Sequence, residues 1–228
     1  MQILQRIILP DSPLSMHADD NYIFVGCRNG RVYIYKTNFY EKMMEATKHH
    51  TISPARRALV TLPAPPPLLS LEAHKSGNVT AIHVHNNTKM VTAAASGEIK
   101  VWDLKAGGAA MLTFKGHESA IVSIQMDDSK VVSASRDGSI SAWSLSIASS
   151  SASSNLTTSA SDSSTSNEAV KLDSASKDST KRVVRPMFSY KTDTFYVTSA
   201  QFENNILVSD GMNNLLTMRD FAPIEDNE

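Results

Sequence analysis

Apolar and polar side chains alternate along residues 119–126, through Ile121, Ser123, Ile124 and Met126. A period of two is the pattern of a half-buried strand. The polar hairpin Asp127-Asp128-Ser129 leads to a second run, Val131-Val132-Ser133-Ala134-Ser135, and the turn residues Arg136-Asp137-Gly138 lead to a third, Ile140-Ser141-Ala142-Trp143. Gly116–Leu145 therefore predicts three short antiparallel strands joined by tight turns.

The same pattern recurs along the chain. Residues 13–36 superpose on this stretch without a gap: Asp19-Asp20 fall on Asp127-Asp128, Asn29-Gly30 on Asp137-Gly138, and Tyr35 on Trp143. Residues 79–103 repeat it, with VTAIHV as first strand and EIKVWDL as third, and residues 195–221 repeat it again. Linking strands are predicted at 67–74, 106–117 and 185–193, and a further strand at Gln2–Leu9 has no partner beside it in sequence. Two segments depart from the pattern. Residues 37–65 end in a proline cluster (Pro63, Pro65, Pro66, Pro67 at the border) and read as a loop insertion; residues 147–181, rich in Ser, Thr, Ala, Asn and Asp, cannot bury enough apolar surface to order and are predicted disordered. Trp102 and Trp143 lie 41 residues apart, and the 164 residues outside the two insertions make four such periods.

The repeat resembles a blade of the WD40 β-propeller family. The likeness rests on His117 in its Gly-His pair, Ser133, Asp137 and Trp143, and on the literal Trp102-Asp103 dipeptide of the preceding unit. In that family these positions form a buried hydrogen-bonded relay that staples the blade. Chemically this is reasonable, because a buried indole N–H needs an acceptor, a hydroxyl can accept and donate onward, and a carboxylate can orient an imidazole. Gly116–Leu145 alone retains all four positions; the preceding unit has Thr92 for the serine, Ala-His for Gly-His, and Ser96 where the aspartate is expected. The first unit has Asn29 and Tyr35, and the fourth places Asn213 and Arg219 at the aspartate and tryptophan positions.

The implied fold is all-β: one WD40 β-propeller domain of four four-stranded blades at about 13–74, 75–117, 118–193, and 194–221 plus 2–10. The last blade lacks its own fourth strand, a gap that the family fills with the N-terminal strand when a ring closes. Four blades stand at the low end of the range for propellers. A partial ring completed by a second copy, a partner or missing sequence is therefore ranked above a small closed ring. Both insertions fall between third and fourth strands, away from the loops that carry His117 and Asp137.

Composition narrows the function classes. A net charge of −1 provides no overall basic field for nucleic acid, and the single cysteine, Cys27, excludes an intramolecular disulfide and fits a cytoplasmic or nuclear protein. The apolar run in MQILQRIILPDSP is interrupted by Gln5 and Arg6 and is too short for a signal peptide or membrane span. Phosphate-binding glycine loops, nucleophile elbows and His-Glu-x-x-His or Cys-x-x-Cys motifs are missing.

Candidate sites divide accordingly. His117, Ser133 and Asp137 carry the side chains of acyl-transfer chemistry but read as a folding relay, together with Trp143, Thr92 and Trp102, so no catalytic residue is assigned. His83 and His85 share one face of a strand without a third ligand, and His49-His50 read as solvated, so no metal and no cofactor is expected. Cys27 reads as a small buried hydrophobe. Ser53-Pro54-Ala55-Arg56 matches the minimal pattern of proline-directed phosphorylation, and Lys181, Arg182 and Arg185 form a small basic rim. Arg28 and Arg136, at matching turns, are candidates for acidic or phosphorylated partners.

The resemblance implies a non-catalytic scaffold or adaptor that binds other proteins or peptides, with self-association as a way to complete the propeller. The wording VTSAQF and DDSKVVSASRDGSI is similar to F-box/WD-repeat propellers, which recruit substrates to ubiquitin ligases, although this chain shows no F-box. A structural subunit of a trafficking, chromatin or RNA-processing complex is the other expectation.

Overall fold

Four sheets follow one another along the chain in a computed structural model that describes residues 7–37, 66–145, 184–192, 197–210 and 216–221. Sheet I contains β1 (Pro13–Ala18), β2 (Tyr22–Cys27), β3 (Arg31–Lys36) and β4 (Leu69–Glu72). Sheet II contains β5 (Val79–His85), β6 (Lys89–Ala94), β7 (Glu98–Asp103) and β8 (Ala110–Lys115). Sheet III contains β9 (Ile121–Met126), β10 (Lys130–Ser135), β11 (Ser139–Ser144) and β12 (Arg185–Lys191). Sheet IV has three described strands, β13 (Ala200–Glu203), β14 (Ile206–Asp210) and β15 (Leu216–Asp220). Every sheet is an antiparallel meander with strands paired in sequence order.

Local chemistry fixes each meander. In the first hairpins of sheets I and III an aspartate caps the turn: Asp19 Oδ1 accepts from the backbone N–H of Asn21 and Tyr22, and Asp127 Oδ1 from those of Ser129 and Lys130, at 2.7–2.8 Å. Sheet II makes the same reversal with Asn86 and Asn87 at φ near +50°, a region that asparagine tolerates. The turns between second and third strands depend on glycine. Gly30, Gly97 and Gly138 have φ of 78°, 82° and 79°, and their carbonyls accept from the backbone N–H of His74, His117 and Thr192 at 2.9, 3.2 and 2.8 Å. A Cβ at Gly97 would stand 1.8 Å from the His117 carbonyl oxygen, and one at Gly30 2.0 Å from that of His74. Only glycine lets the segment entering the next sheet lie so close.

The sheets pack face to face in sequence. Phe24, Val32, Ile34 and Leu71 of sheet I meet Val79, Ile82, Met90 and Trp102 of sheet II. Ile99, Val101, Leu112 and Phe114 of sheet II meet Ile121, Ile124, Val131 and Trp143 of sheet III, and Val132, Ile140 and Ala142 meet Ala200, Phe202 and Leu207 of sheet IV. A hydroxyl on or beside each first strand bonds the next first strand: Ser15 Oγ to the Val79 carbonyl, Thr80 Oγ1 to that of Ile121, and Ser123 Oγ to that of Ala200, at 2.5–2.9 Å. Sheets I and IV share no apolar cluster among the described residues, so the four sheets form an arc rather than a closed ring.

The N-terminal strand expected over residues 2–10 is absent from 7–10, which pair with no sheet. Ile7 and Leu9 instead pack their side chains against Val25, Cys27, Tyr33 and Tyr35. Residues 1–6 lie outside the described residues, as do 38–65 and 146–183, which hold nearly all of the expected loop insertion and the whole of the expected disordered tract.

Candidate functional site

Where the third strand of sheet III crosses the second, Trp143 points back toward sheet II and is stacked at a tilt on Phe114, ring centres 5.3 Å apart. Its indole Nε1–H donates to Ser133 Oγ at 2.9 Å. Ser133 Oγ lies 2.7 Å from His117 Nε2, His117 Nδ1 lies 2.9 Å from Ser139 Oγ, and Ser139 Oγ–H donates to Asp137 Oδ1 at 2.5 Å. One assignment of protons satisfies the whole chain: indole to serine, serine to Nε2, Nδ1–H to Ser139, and Ser139 to the carboxylate. Asp137 thus reaches the imidazole through Ser139, a residue the sequence reading did not place in the relay.

Sheet II contains a second relay, in which the sequence reading placed Thr92 and Trp102 but missed the carboxylate. Trp102 Nε1–H donates to Thr92 Oγ1 at 3.0 Å, Thr92 Oγ1 lies 2.9 Å from His74 Nε2, and His74 Nδ1 lies 2.6 Å from Glu98 Oε2. Gly116–Leu145 is therefore not alone in having a complete relay. The carboxylate comes from Glu98, two residues beyond Ser96, on the register position that Ser139 occupies in sheet III. The extra methylene of glutamate spans the distance that Ser139 bridges in sheet III. The available signal was an acidic residue beginning a strand just past the turn glycine. Ser96 has its own partner, accepting from Ser76 Oγ at 3.1 Å.

Burial and partners set the charge states. Removal from water lowers the pKa of His117 from 6.5, only partly opposed by the Asp137 charge and the Ser133 hydrogen bond, so the neutral ring is favoured. The Glu98 carboxyl is held below its ordinary 4.5 chiefly by its hydrogen bond to His74, against the upward push of burial. Burial also pushes Asp137 up, but Ser139 and Ser135 outweigh it and its pKa falls below 3.8. Ser133 and Thr92 are buried with their hydroxyls engaged by tryptophan and histidine. As placed, the Ser/His/Asp set links strands and presents no nucleophile to solvent.

The outer sheets lack such relays among the described residues. In sheet I the corresponding positions of Ser133 and Trp143 hold Val25 and Tyr35, and Leu9 packs against them, so apolar contact replaces the hydrogen bonds. Asn29 hydrogen-bonds the Tyr33 hydroxyl at 3.1 Å. Cys27 is buried in this cluster, and burial, then the Asp11 charge, pushes its thiol pKa up. In sheet IV, Ser209 holds the register of Ser133, and Arg219 that of Trp143, its guanidinium 4.5 Å from the centre of the Tyr190 ring. Asn213 lies outside the described residues.

Arg28 and Arg136 are exposed on the second-to-third-strand turns of sheets I and III, on the edge that carries the relay histidines. His83 is half-buried, its Nδ1 accepting from the Met126 N–H at 3.3 Å and its ring edge-on to His17. Burial, reinforced by His17 and His85, pushes its pKa down to about 4. His85 lies 3.4 Å from Asp128. Among the described residues no group of three or more His, Cys, Asp or Glu could hold a metal. His49, His50, Ser53, Lys181 and Arg182 lie outside the described residues; Arg185 lies in β12.

Four-stranded antiparallel meanders packed face to face around an arc, stapled by Trp–Ser/Thr–His relays, are the build of a β-propeller. The family profile described as "WD domain, G-beta repeat" matches residues 65–103 and 108–144, the two units with complete relays. These two stretches match as WD40 repeats, and the chain resembles the WD40-repeat family. It is 27% identical over 135 residues to mitochondrial division protein 1 of Aspergillus niger, a match covering 58% of this chain and 20% of that protein; the chain thus spans about a fifth of that relative. Among solved structures, the computationally designed Ika4 protein overlays with a TM-score of 0.55 at 18% identity, covering 96% of this chain and 98% of that one. The WD40 β-propeller domain of Doa1 overlays with a TM-score of 0.53 at 12% identity, covering 87% of this chain and 46% of that one. WD40 propellers characteristically serve as protein-interaction scaffolds.

Proposed function

We propose that this chain is a non-catalytic adaptor that holds a protein or peptide partner on the edge of the arc carrying the relay histidines. The observation that carries this reading is the row of hydrogen-bonded glycine turns along that edge. Gly30, Gly97 and Gly138 each lock a turn to the segment entering the next sheet, while Arg28 and Arg136 project from the same row of turns into solvent. Fixed turns with exposed guanidinium groups suit bidentate recognition of carboxylate or phosphate, because little ordering entropy is lost on binding. The roles we assign to His117, Ser133, Asp137, Trp143, Thr92 and Trp102 are structural.

Two settings fit such an adaptor: substrate recruitment to a ubiquitin ligase, and a fixed place in a large trafficking, chromatin or RNA-processing assembly, in either case in the cytoplasm or nucleus. Among the described residues no helix is long and apolar enough to cross a membrane. Affinity purification of the wild-type chain beside an Arg28→Glu/Arg136→Glu variant tests the surface and separates the settings. Partners lost selectively from the variant support it, and unchanged partner recovery contradicts it. Ligase subunits in the wild-type eluate would favour the first setting, and one stoichiometric complex the second.

A further inference from the structure

The two ends of the arc are the two halves of one missing sheet-to-sheet junction. On the face that each sheet turns toward its successor, Ile99 and Val101 of β7 and Ile140 and Ala142 of β11 are at most 2% exposed. The matching positions of β15 are Leu216 and Met218, 70% and 66% exposed. On the opposite face, Ile82, Ile124 and Ala200 of the first strands are at most 8% exposed, because a preceding sheet covers them. Met16 holds that register in β1 and is 68% exposed. It borders a groove of about 440 Å³ lined by Leu9, Ile23, Val25 and Tyr35. The polar contacts show the same vacancy of register. Ser15 and Ser123 occupy one first-strand position and each bonds a backbone carbonyl of the next first strand, that of Val79 and that of Ala200; Ser199 holds that position before β13 and is exposed.

What the sheet I face lacks is therefore a successor-facing surface, and the chain presents one, on sheet IV. The arc determines whose sheet IV it is. Within one chain the two faces stand uncovered, and the match to the WD40 β-propeller domain of Doa1 takes up 46% of that chain, a little under half of its residues. We infer that two copies of this chain join head to tail, sheet IV of each on sheet I of the other, and close one ring with two identical junctions. A head-to-tail contact is self-limiting when its rotation closes, and two half-turns close. Leu216 and Met218 then enter the groove beside Met16 of the second copy, and the Ser199 hydroxyl donates to a backbone carbonyl of β1. Burying these side chains removes apolar surface that a soluble protein rarely leaves uncovered.

Native mass spectrometry and sedimentation of the full chain test this inference. The expected species has twice the 24.8 kDa of one chain. Met16→Lys and Met218→Glu, both at exposed positions, each weaken the dimer by about 100-fold or more while strand content by circular dichroism and indole emission stay unchanged. Mixed in equal amounts, the two variants re-form a dimer, because one junction is then native and the other pairs Lys with Glu. Ser199→Ala gives a smaller weakening and serves as a variant that removes no packing. A monomeric wild type overturns the inference; if its residues 2–9 are also protected from hydrogen exchange, the chain closes on itself. A dimer that survives either charged variant, or variants that fail to complement, overturns head-to-tail joining. Partner binding through Arg28 and Arg136 is read separately, so either reading can fail alone.

Discussion

In sheet II the carboxylate touches the imidazole itself, Glu98 to His74 at 2.6 Å; in sheet III it stands one hydroxyl further back, Asp137 reaching His117 through Ser139. From histidine to tryptophan the two chains are otherwise alike, with Thr92 and Ser133 each between an indole N–H and an imidazole nitrogen. The difference shows that the fold requires an acceptor at Nδ1 of a buried ring, and that either of two positions, two residues apart, can supply it. An aspartate in the turn needs a bridging serine at the start of the strand, and a glutamate at the start of the strand needs nothing in the turn. Both solutions leave the buried indole, hydroxyl and ring nitrogens paired, which is the condition for burying them at all.

The largest effects should come from removing the indoles, which anchor both relays and two of the three inter-sheet clusters. Trp102→Ala and Trp143→Ala are each expected to cost about 3–5 kcal/mol in urea unfolding. A cost confined to Trp143 would mean that the sheet II relay is decorative. Next come the middle hydroxyls. Thr92→Val and Ser133→Ala strand an indole donor and a ring nitrogen, and each should lower stability by about 1–3 kcal/mol, with equal losses expected because the two sites have the same partners.

The arrangements themselves can be exchanged. Glu98→Ser alone removes the Nδ1 acceptor's carboxylate from sheet II and should cost about 1–3 kcal/mol. Adding Ser96→Asp installs the sheet III solution and should recover most of that loss. If the two substitutions simply add, the equivalence fails. The smallest effect concerns pH. His117 and His83 have folded pKa values below 6.5, that of His83 at about 4, so the unfolded chain binds more protons in between and stability rises with pH across that window. Their contribution is complete above pH 6.5 and lost as pH falls toward 4; the depressed Glu98 and Asp137 carboxyls extend the loss below their ordinary values of 4.5 and 3.8. His83→Asn, which keeps an acceptor for the Met126 N–H, should flatten the urea midpoint between pH 6.5 and 4 relative to wild type.

Much of this architecture is legible in sequence because the repeat is local. The alternation at 121–126, the aspartate turns at Asp19 and Asp127, and the glycines at 30, 97 and 138 each act within one meander, so strands and turns can be read without knowing what packs on them. Strand order followed for the same reason. What escaped reading depends on reach and on company. Glu98 lies outside the aligned aspartate position, and only the length of its side chain brings it to His74. Ser139 looked like an ordinary strand residue until it was found between two relay members. Leu9 was assigned to a strand by its apolar run, yet it packs sideways onto Val25 and Tyr35. In sheet IV the substitution of Arg219 for tryptophan was legible, but not its place over the Tyr190 ring.

The two relays can be observed directly, because the chain contains only two tryptophans and each indole N–H ends one relay. Exchange of the two Nε1 protons with solvent deuterium, followed by NMR at neutral pH, measures them side by side. Equally protected indole protons, with Trp102 slowed as strongly as Trp143, are the expected result for two complete relays. A Trp102 proton that exchanges at the rate of an open site while Trp143 stays protected would contradict the equivalence of Glu98 with the Ser139–Asp137 pair.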